Sequence, residues 1–368
     1  MKLRQVYLSG YKSIDKAGQT IPLGDITVLL GANGSGKSNL ISFFKMLNFM
    51  TEGTLKQYVG REGVTRLLYY GPKKTESIFF SLDFGTEDVR SRYEIALSYG
   101  LPDRLFIGSE KIICHGDGNG QQEYVLDGRE GESGLKTDPR PVCEVLYNLL
   151  SGIRFYQFHD TSDTAKIKDR GYVDDARYLR SDGGNLAAFL KMLKEHGQFY
   201  RYYDRIIRHI RRIMPQFGDF DLTPVPGNRD YIRLNWRDSS GSDYLFDPGQ
   251  ISDGSLRFMA LSALLLQPPD LMPAFIVLDE PELGLHPLAI RELAGLVRSA
   301  SQKTQVLLAT QSSSLINEFT AEDLVVLERD EERQCSLFKK LDCEILRGWL
   351  DRYSLSDLWE KNVIGGQP

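Results

Sequence analysis

No stretch of this chain approaches the roughly 18 consecutive apolar residues of a membrane span. The opening MKLRQVYLSGYKSI also lacks the roughly 7–15-residue apolar core of a signal peptide. Cysteine is scarce: Cys114, Cys143, Cys335 and Cys343 are scattered, with no Cys-x-x-Cys pair and no histidine pair at zinc spacing. This argues against a disulfide framework and fits a reducing compartment. Nor is there an excess of positive charge. The 45 Lys and Arg face 50 Asp and Glu, a formal net charge of −5, which excludes a histone-like global affinity for nucleic acid but leaves room for a local basic patch. Heptads, internal repeats and low-complexity tracts are missing. The expectation is a soluble, cytoplasmic protein with no membrane association. Its 368 residues suffice for two or three compact units, or one large α/β unit with insertions, without disulfide or metal staples.

What is present reads as α/β. RQVYL and DITVLL (25–30) are β-prone, the second apolar enough for a strand buried on both faces, ending at Gly31. Leu40, Phe43, Phe44 and Leu47 recur at helical spacing and predict a helix over about 37–49. SIFFSLDF, YEIALSY, RLFIGSEKIIC and EYVL, between about 76 and 127, predict an antiparallel sheet, with GDGNGQQ (116–122) as a hairpin or flexible loop. After DPRP the pattern turns helical (VCEVLYNLL, NLAAFLKMLKEH, QFYRYYDRIIRHIRRIM), followed by the short strands DFDL, YIRLNW and DYLF. SLRFMALSALLL, FIVLD, LAIRELAGLVRSA and QVLLA then alternate helix and strand, the signature of a parallel core. The predicted core is one sheet assembled from both ends of the chain around a central helical insertion.

The strongest chemical signal is GANGSGKS at 31–38, a G-x-x-x-x-G-K-S run between a buried strand and a helix, the context a P-loop requires. Gly31, Gly34 and Gly36 let the backbone curl so that its N–H groups surround phosphate oxygens at a helix N-terminus. The expected nucleotide contacts are Gly31, Ala32, Asn33, Gly34, Ser35, Gly36, Lys37, Ser38 and Asn39. Lys37 would reach the β- and γ-phosphates of ATP and Ser38 would offer its hydroxyl to Mg²⁺. The second signal is AFIVLDEPELGLHP (274–287). Its apolar run ends in two carboxylates, at the strand edge where open α/β sheets bind ligands. Asp279 would hold the Mg²⁺ shell and Glu280 would polarise the attacking water. The third is QISDGSLRFMALSALLL (250–266), which puts Ser252, Asp253 and Gly254 at a helix N-terminus.

In that order GANGSGKSN, ISDGSLR, VLDEPELGLHP and ATQSSSL resemble the ABC-type ATPases of the RecF/SMC/OLD branch. The closing YSLSDLWEKNVIGGQP is similar to the endings of standalone bacterial AAA-family ATPases, many of them from phage-defence or toxin-like gene clusters. The resemblance implies an α/β P-loop NTPase with an ABC/RecF-like head: a mixed, largely parallel core sheet, an antiparallel β lobe and a helical insertion. It implies an N-terminal ATPase lobe over 1–137, an insertion over 138–247, a C-terminal lobe over 248–342 and a tail over 343–368. Ser252 and Gly254 would form the signature that completes the ATP site of a second subunit, GLHP resembles the D-loop, and SGYKSI makes Lys12 and Ser13 candidate nucleotide contacts. The implied activity is slow ATP hydrolysis in a switch that dimerises on ATP and controls a separately encoded effector. A RecF-type DNA-binding repair ATPase and an ABC transporter subunit are the alternatives.

Three departures from the family pattern matter. Gln311 stands where a switch histidine is usual, and an amide can donate a hydrogen bond but carries no charge. Coiled-coil arms are missing, and no TOPRIM nuclease triad follows Gln311. No clear Q-loop glutamine follows the first lobe either. Outside the motifs, Arg66 is a candidate phosphate sensor, and His159-Asp160 and His286 are weaker candidates. Trp349 and Trp359 suggest a packed or docking tail. On the helix at about 198–214, Arg201, Arg205, Arg208 and Arg212 line the side opposite the apolar face. Read as lacking acidic neighbours one turn away, they would repel one another and welcome DNA or an acidic effector.

Overall fold

The computed structural model describes residues 1–86, 90–115, 120–128 and 131–367. Two compact units emerge, Met1–Ile153 with Thr320–Pro368, and Arg154–Phe319. Segments from both ends of the chain thus build the first unit. The divisions at 137, 247 and 342 suggested by sequence fall elsewhere, for a physical reason. The helix Pro141–Ser151 stays with the first unit, where the Asn48 amide donates to the carbonyl oxygens of Leu150 at 3.3 Å and Ser151 at 3.4 Å.

The first unit holds an antiparallel sheet in the order Gln19–Pro22, Lys2–Ser9, Ser77–Gly85, Arg90–Gly100, Arg104–His115, Gln121–Val125. Along Ser77–Gly85 the residues Ile78, Phe80, Leu82 and Phe84 are buried, as a period of two dictates. The antiparallel reading of residues 76–127 is therefore met, with the N-terminal strands joined to the same sheet. His115 pairs with Gln121, so Gln121 and Gln122 belong to a strand; 116–119 of the expected hairpin or loop lie outside the described residues. Beside this sheet, Ile26–Leu30 runs parallel to Leu324–Asp330, which pairs antiparallel with Cys335–Lys340. Val28, Leu29 and Leu30 are fully buried, so successive side chains find apolar surroundings on both faces.

In the second unit Phe275–Asp279 and Gln305–Thr310 form a parallel pair connected through the helix Pro287–Ser301. The helices Leu186–Glu195, Tyr200–Ile213 and Asp253–Leu266 lie where their apolar spacing predicts. YIRLNW is not one strand. Tyr231–Ile232 pairs with Gly171–Tyr172, and Asn235–Asp238 pairs with Phe217–Asp221. DYLF forms no strand beyond a single bridge from Phe246 to Trp236. The indole explains this: Trp236 stacks at 5.9 Å on Phe217 and 4.3 Å on Phe246, and the packing of three rings outweighs a regular ladder there. Among the described residues no helix is long and apolar enough to cross a membrane.

Candidate functional site

The P-loop occupies the turn between the strand Ile26–Leu30 and the helix Lys37–Thr51. Gly34 and Gly36 adopt φ values of +80° and +116°, a region that penalises any side chain. Gly31 is needed for another reason: a Cβ there would stand 2.5 Å from the Leu327 carbonyl oxygen. The loop curls around Lys37, whose buried ammonium donates to the carbonyl oxygens of Gly31 and, at 3.0 Å, of Ala32. The Ser35 hydroxyl is buried and has no hydrogen-bond partner among the described residues. A curled backbone, a central cation and an orphan hydroxyl suit a phosphate chain.

Lys12 and Ser13 are held beside this loop. The Ser13 hydroxyl accepts from the Asn39 amide and from Ser336 Oγ, each at 2.7 Å. Lys12, at φ +47°, donates to Ser42 Oγ at 2.6 Å. Burial lowers the Lys12 pKa; Glu62 opposes that shift and Lys45 adds to it. These residues line an open cleft of about 540 Å³ together with Asn39, Arg66, Tyr70 and Arg329. Tyr70 is exposed and meets Tyr69 edge-on at 4.8 Å, with the Lys74 ammonium 4.3 Å from its ring centre. Farther along the chain, the Ala32 N–H donates to the Gly366 carbonyl at 2.9 Å, and Trp359 is buried while Trp349 is exposed.

In the second unit, Asp279 ends the strand Phe275–Asp279. Its Oδ2 accepts from Gln157 Nε2 at 2.7 Å, and its carbonyl faces His159 Nε2 at 2.8 Å. A carbonyl only accepts, so the imidazole proton sits on Nε2. Glu280 follows at φ +43°, an uncommon conformation for a side-chain-bearing residue. It is fixed at both ends: its N–H donates to the Ala309 carbonyl at 2.8 Å, and its Oε1 accepts from Gln311 Nε2 at 2.8 Å. Glu282 is buried and accepts from Thr310 Oγ1, while its Oε2 has no partner among the described residues. Burial raises its pKa, the Thr310 hydroxyl lowers it, and the neighbouring Glu280 and Asp279 carboxylates add to the rise.

Ser252 caps the helix Asp253–Leu266 by accepting from the Ser255 N–H at 3.2 Å. Gly254 cannot carry a side chain, since its Cβ would stand 2.3 Å from the Gly284 carbonyl oxygen. The ISDGS and DEPELGLHP blocks are thus in direct contact. His286 caps the helix Pro287–Ser301, its ring Nδ1 accepting from the Leu288 N–H at 3.3 Å. Of the His159-Asp160 pair, only His159 reaches Asp279; Asp160 turns to the Ser162 hydroxyl at 2.7 Å. Sequence reasoning missed Gln157 and Arg257. The available signal was the polar Gln and His at the end of the aromatic run RFYQFHD.

The arginine stripe needs correction. Asp204 lies one turn before Arg208 and pairs with it at 2.8 Å. Arg212 pairs with Glu292 at 3.3 Å, Arg205 donates to Ser299 Oγ at 3.0 Å, and Arg201 donates to Tyr202 Oη at 2.8 Å. Two of the four guanidinium groups, Arg208 and Arg212, are thus paired with carboxylates, while Arg201 and Arg205 donate only to neutral hydroxyls.

With this geometry in hand, comparison with known proteins is decisive for the family. The model described as "AAA domain, putative AbiEii toxin, Type IV TA system" matches residues 26–317. The chain belongs to this AAA family. Over 53 residues it is 42% identical to the sn-glycerol-3-phosphate import ATP-binding protein UgpC of Jannaschia sp. (strain CCS1), covering 14% of this chain and 15% of that protein. Over 53 residues it is also 38% identical to the phosphonates import ATP-binding protein PhnC of Staphylococcus saprophyticus, covering 14% of this chain and 21% of that protein. The chain therefore spans only about a fifth or less of the curated relatives it matches. Its fold is similar to an SmcHead bound to the C-winged helix domain of ScpA, with TM-score 0.58, 16% identity and coverage of 94% of this chain and 99% of that one. It is also similar to the Smc head domain derived from Pyrococcus furiosus, with TM-score 0.54, 15% identity and coverage of 95% and 98%. This AAA-family chain is a P-loop protein with an SMC-head-like α/β fold.

Proposed function

We propose that this protein binds Mg-ATP, hydrolyses it slowly, and acts in the cytoplasm as a switch that dimerises in the ATP state and controls a separately encoded effector. The observation that carries the reading is the 2.8 Å hydrogen bond from Gln311 to Glu280, beside an Asp279 held at 2.7 Å by Gln157. Lys37 and the P-loop N–H groups bind the phosphates, and the cleft bearing Lys12, Ser13, Arg66 and Tyr70 accepts the base and ribose. Ser38 and Asp279 would hold Mg²⁺, and Gln157 orients the Asp279 carboxylate. When bound, the ion neutralises charge building on the β- and γ-phosphate oxygens. Glu280 orients the attacking water. Gln311 fixes the Glu280 carboxylate but adds no positive charge, so turnover should lie well under the ~1 s⁻¹ lower end of common enzymes. Such slowness lets the ATP state persist as a signal, as in unassisted GTPases.

Ser252 and Gly254 reach the γ-phosphate of a second copy through the helix N-terminus they form. The family description, which names a two-component toxin–antitoxin system, supports action together with a second chain; the effector read here is a separately encoded one, a nuclease in phage defence being one such chain. The RecF-type DNA reading loses part of its support because two of the four stripe arginines, Arg208 and Arg212, are already paired with carboxylates. The test compares wild type, Lys37→Ala and Glu280→Gln for ATP binding and phosphate release. Lys37→Ala should lose binding, whereas Glu280→Gln should bind normally and stop turnover. Equal loss of binding in both would make Glu280 a structural residue and overturn the assignment.

A further inference from the structure

Resting on the reading of Asp279 and Glu280 as hydrolytic carboxylates, we infer that Arg257 is a positioning residue that holds Asp279 in its working geometry through the 157–161 segment. Arg257 leaves the helix Asp253–Leu266 about one turn after the Ser252 cap. Its guanidinium makes four hydrogen bonds: Nε to the Phe158 carbonyl at 3.0 Å, Nη2 to the His159 carbonyl at 2.8 Å and Thr161 Oγ1 at 3.3 Å, and Nη1 to the Leu283 carbonyl at 2.7 Å. Residues 157–161 follow the strand Ile153–Tyr156 and have no regular structure of their own. The Phe158 and His159 carbonyl groups take their hydrogen bonds from this side chain, and leaving a buried carbonyl without one is costly.

The same five residues carry both groups that grip Asp279: the Gln157 amide on Oδ2 and the His159 imidazole on the main-chain oxygen. Arg257 therefore acts on Asp279 through the 157–161 backbone, and it sets where both grips stand. Its fourth bond, to Leu283, ties the DEPEL turn to the same anchor. Arg257, His159, Asp279 and Glu280 also line one small cavity of about 10 Å³, the scale of a single water probe. Only a planar fork with several fixed donors can serve diverging carbonyl groups at once, which a lysine ammonium on a flexible stem cannot reproduce.

The experiment uses the full chain with Arg257→Ala, Arg257→Lys, Gln157→Ala and the double variant Arg257→Ala/Gln157→Ala. Three readouts are taken: ATP turnover against Mg²⁺ concentration, ATP binding without Mg²⁺, and hydrogen exchange of segments 155–161 and 278–284. Arg257→Ala should raise the Mg²⁺ needed for half-maximal rate and lower kcat, each by about tenfold, the scale seen for partners that orient metal ligands. Metal-free ATP binding should stay within about twofold, and exchange should rise in both segments. The double variant should fall short of the product of the two single effects, because Arg257 and Gln157 share one of the two grips on Asp279. Arg257→Lys should fall between wild type and Arg257→Ala, and it carries the test if the alanine variant does not fold. Unchanged Mg²⁺ dependence, effects that multiply in the double variant, or unchanged exchange would each overturn the inference. A wild type that binds ATP without hydrolysing it would refute the proposed activity instead. In that case increased exchange around Asp279 in Arg257→Ala still supports the positioning role, and unaltered exchange removes it.

Discussion

Glu282 shows how much a single side chain can reveal about the site. Burial lifts its pKa above the ordinary carboxylate range, so the folded protein keeps this proton to higher pH than the unfolded chain does. The folded state then binds more protons between the unfolded value, about 4.3, and the raised folded value. Stability from this group is complete below that window and is lost as pH rises through it. Glu282→Gln removes the titration and keeps an oxygen to accept from Thr310 Oγ1. We expect its melting temperature to exceed wild type by about 2 °C at pH 8, with little difference at pH 4, a scale appropriate to a unit of this size. Thermal scans at both pH values check this; a uniform loss at both would contradict it. Legibility at this scale followed chain proximity. Lys37, Asp279 and Glu280 were readable because a P-loop and an acidic strand end are contiguous in sequence. Gln157 was not, since its meaning comes from Asp279, 122 positions away, and Arg257 acts mainly through main-chain oxygens that leave no pattern in the residue types.

At the scale of elements, periodicity predicted the helices well because each has an apolar face to bury. Tyr203, Ile206, Ile207 and Ile210 of Tyr200–Ile213 are buried as a period of 3.6 requires. The strands Leu324–Asp330 and Cys335–Lys340 went unread. Their polar ends, and a DEERQ connection without a Gly or Asn-Gly turn, hide an alternation that is settled by pairing with Ile26–Leu30. The charged face of Tyr200–Ile213 was readable in residue type but not in partnership, since Glu292 and Ser299 come from a helix far along the chain. Reversal to Arg205→Glu and Arg208→Glu should therefore leave duplex DNA affinity and its salt slope unchanged. It should lower stability only modestly, Arg208→Glu by about 0.3–0.5 kcal/mol through repulsion with Asp204. Salt titrations read this directly. A slope flattened by about 0.9 for each reversed charge would restore DNA as the partner of this face.

The whole molecule divides its motifs between two compact units, the P-loop in one and Asp279, Glu280, Gln311 and Ser252 in the other. That strands near both chain ends belong to an α/β fold was legible, because apolar strands alternate with helices there. Where the units divide was not, because it depends on packing such as that of Asn48 against the end of Pro141–Ser151. If the proposed switch uses the signature in trans, Ser252→Arg should abolish ATP-driven association while leaving nucleotide binding by the single chain within about twofold; equal loss of both would place Ser252 in its own chain's site. The most direct measurement is the solution mass of Glu280→Gln at micromolar concentration, with and without Mg-ATP. The account predicts one chain without nucleotide and two with it, returning to one when Ser252→Arg is added to Glu280→Gln. A mass that ATP does not change would contradict it.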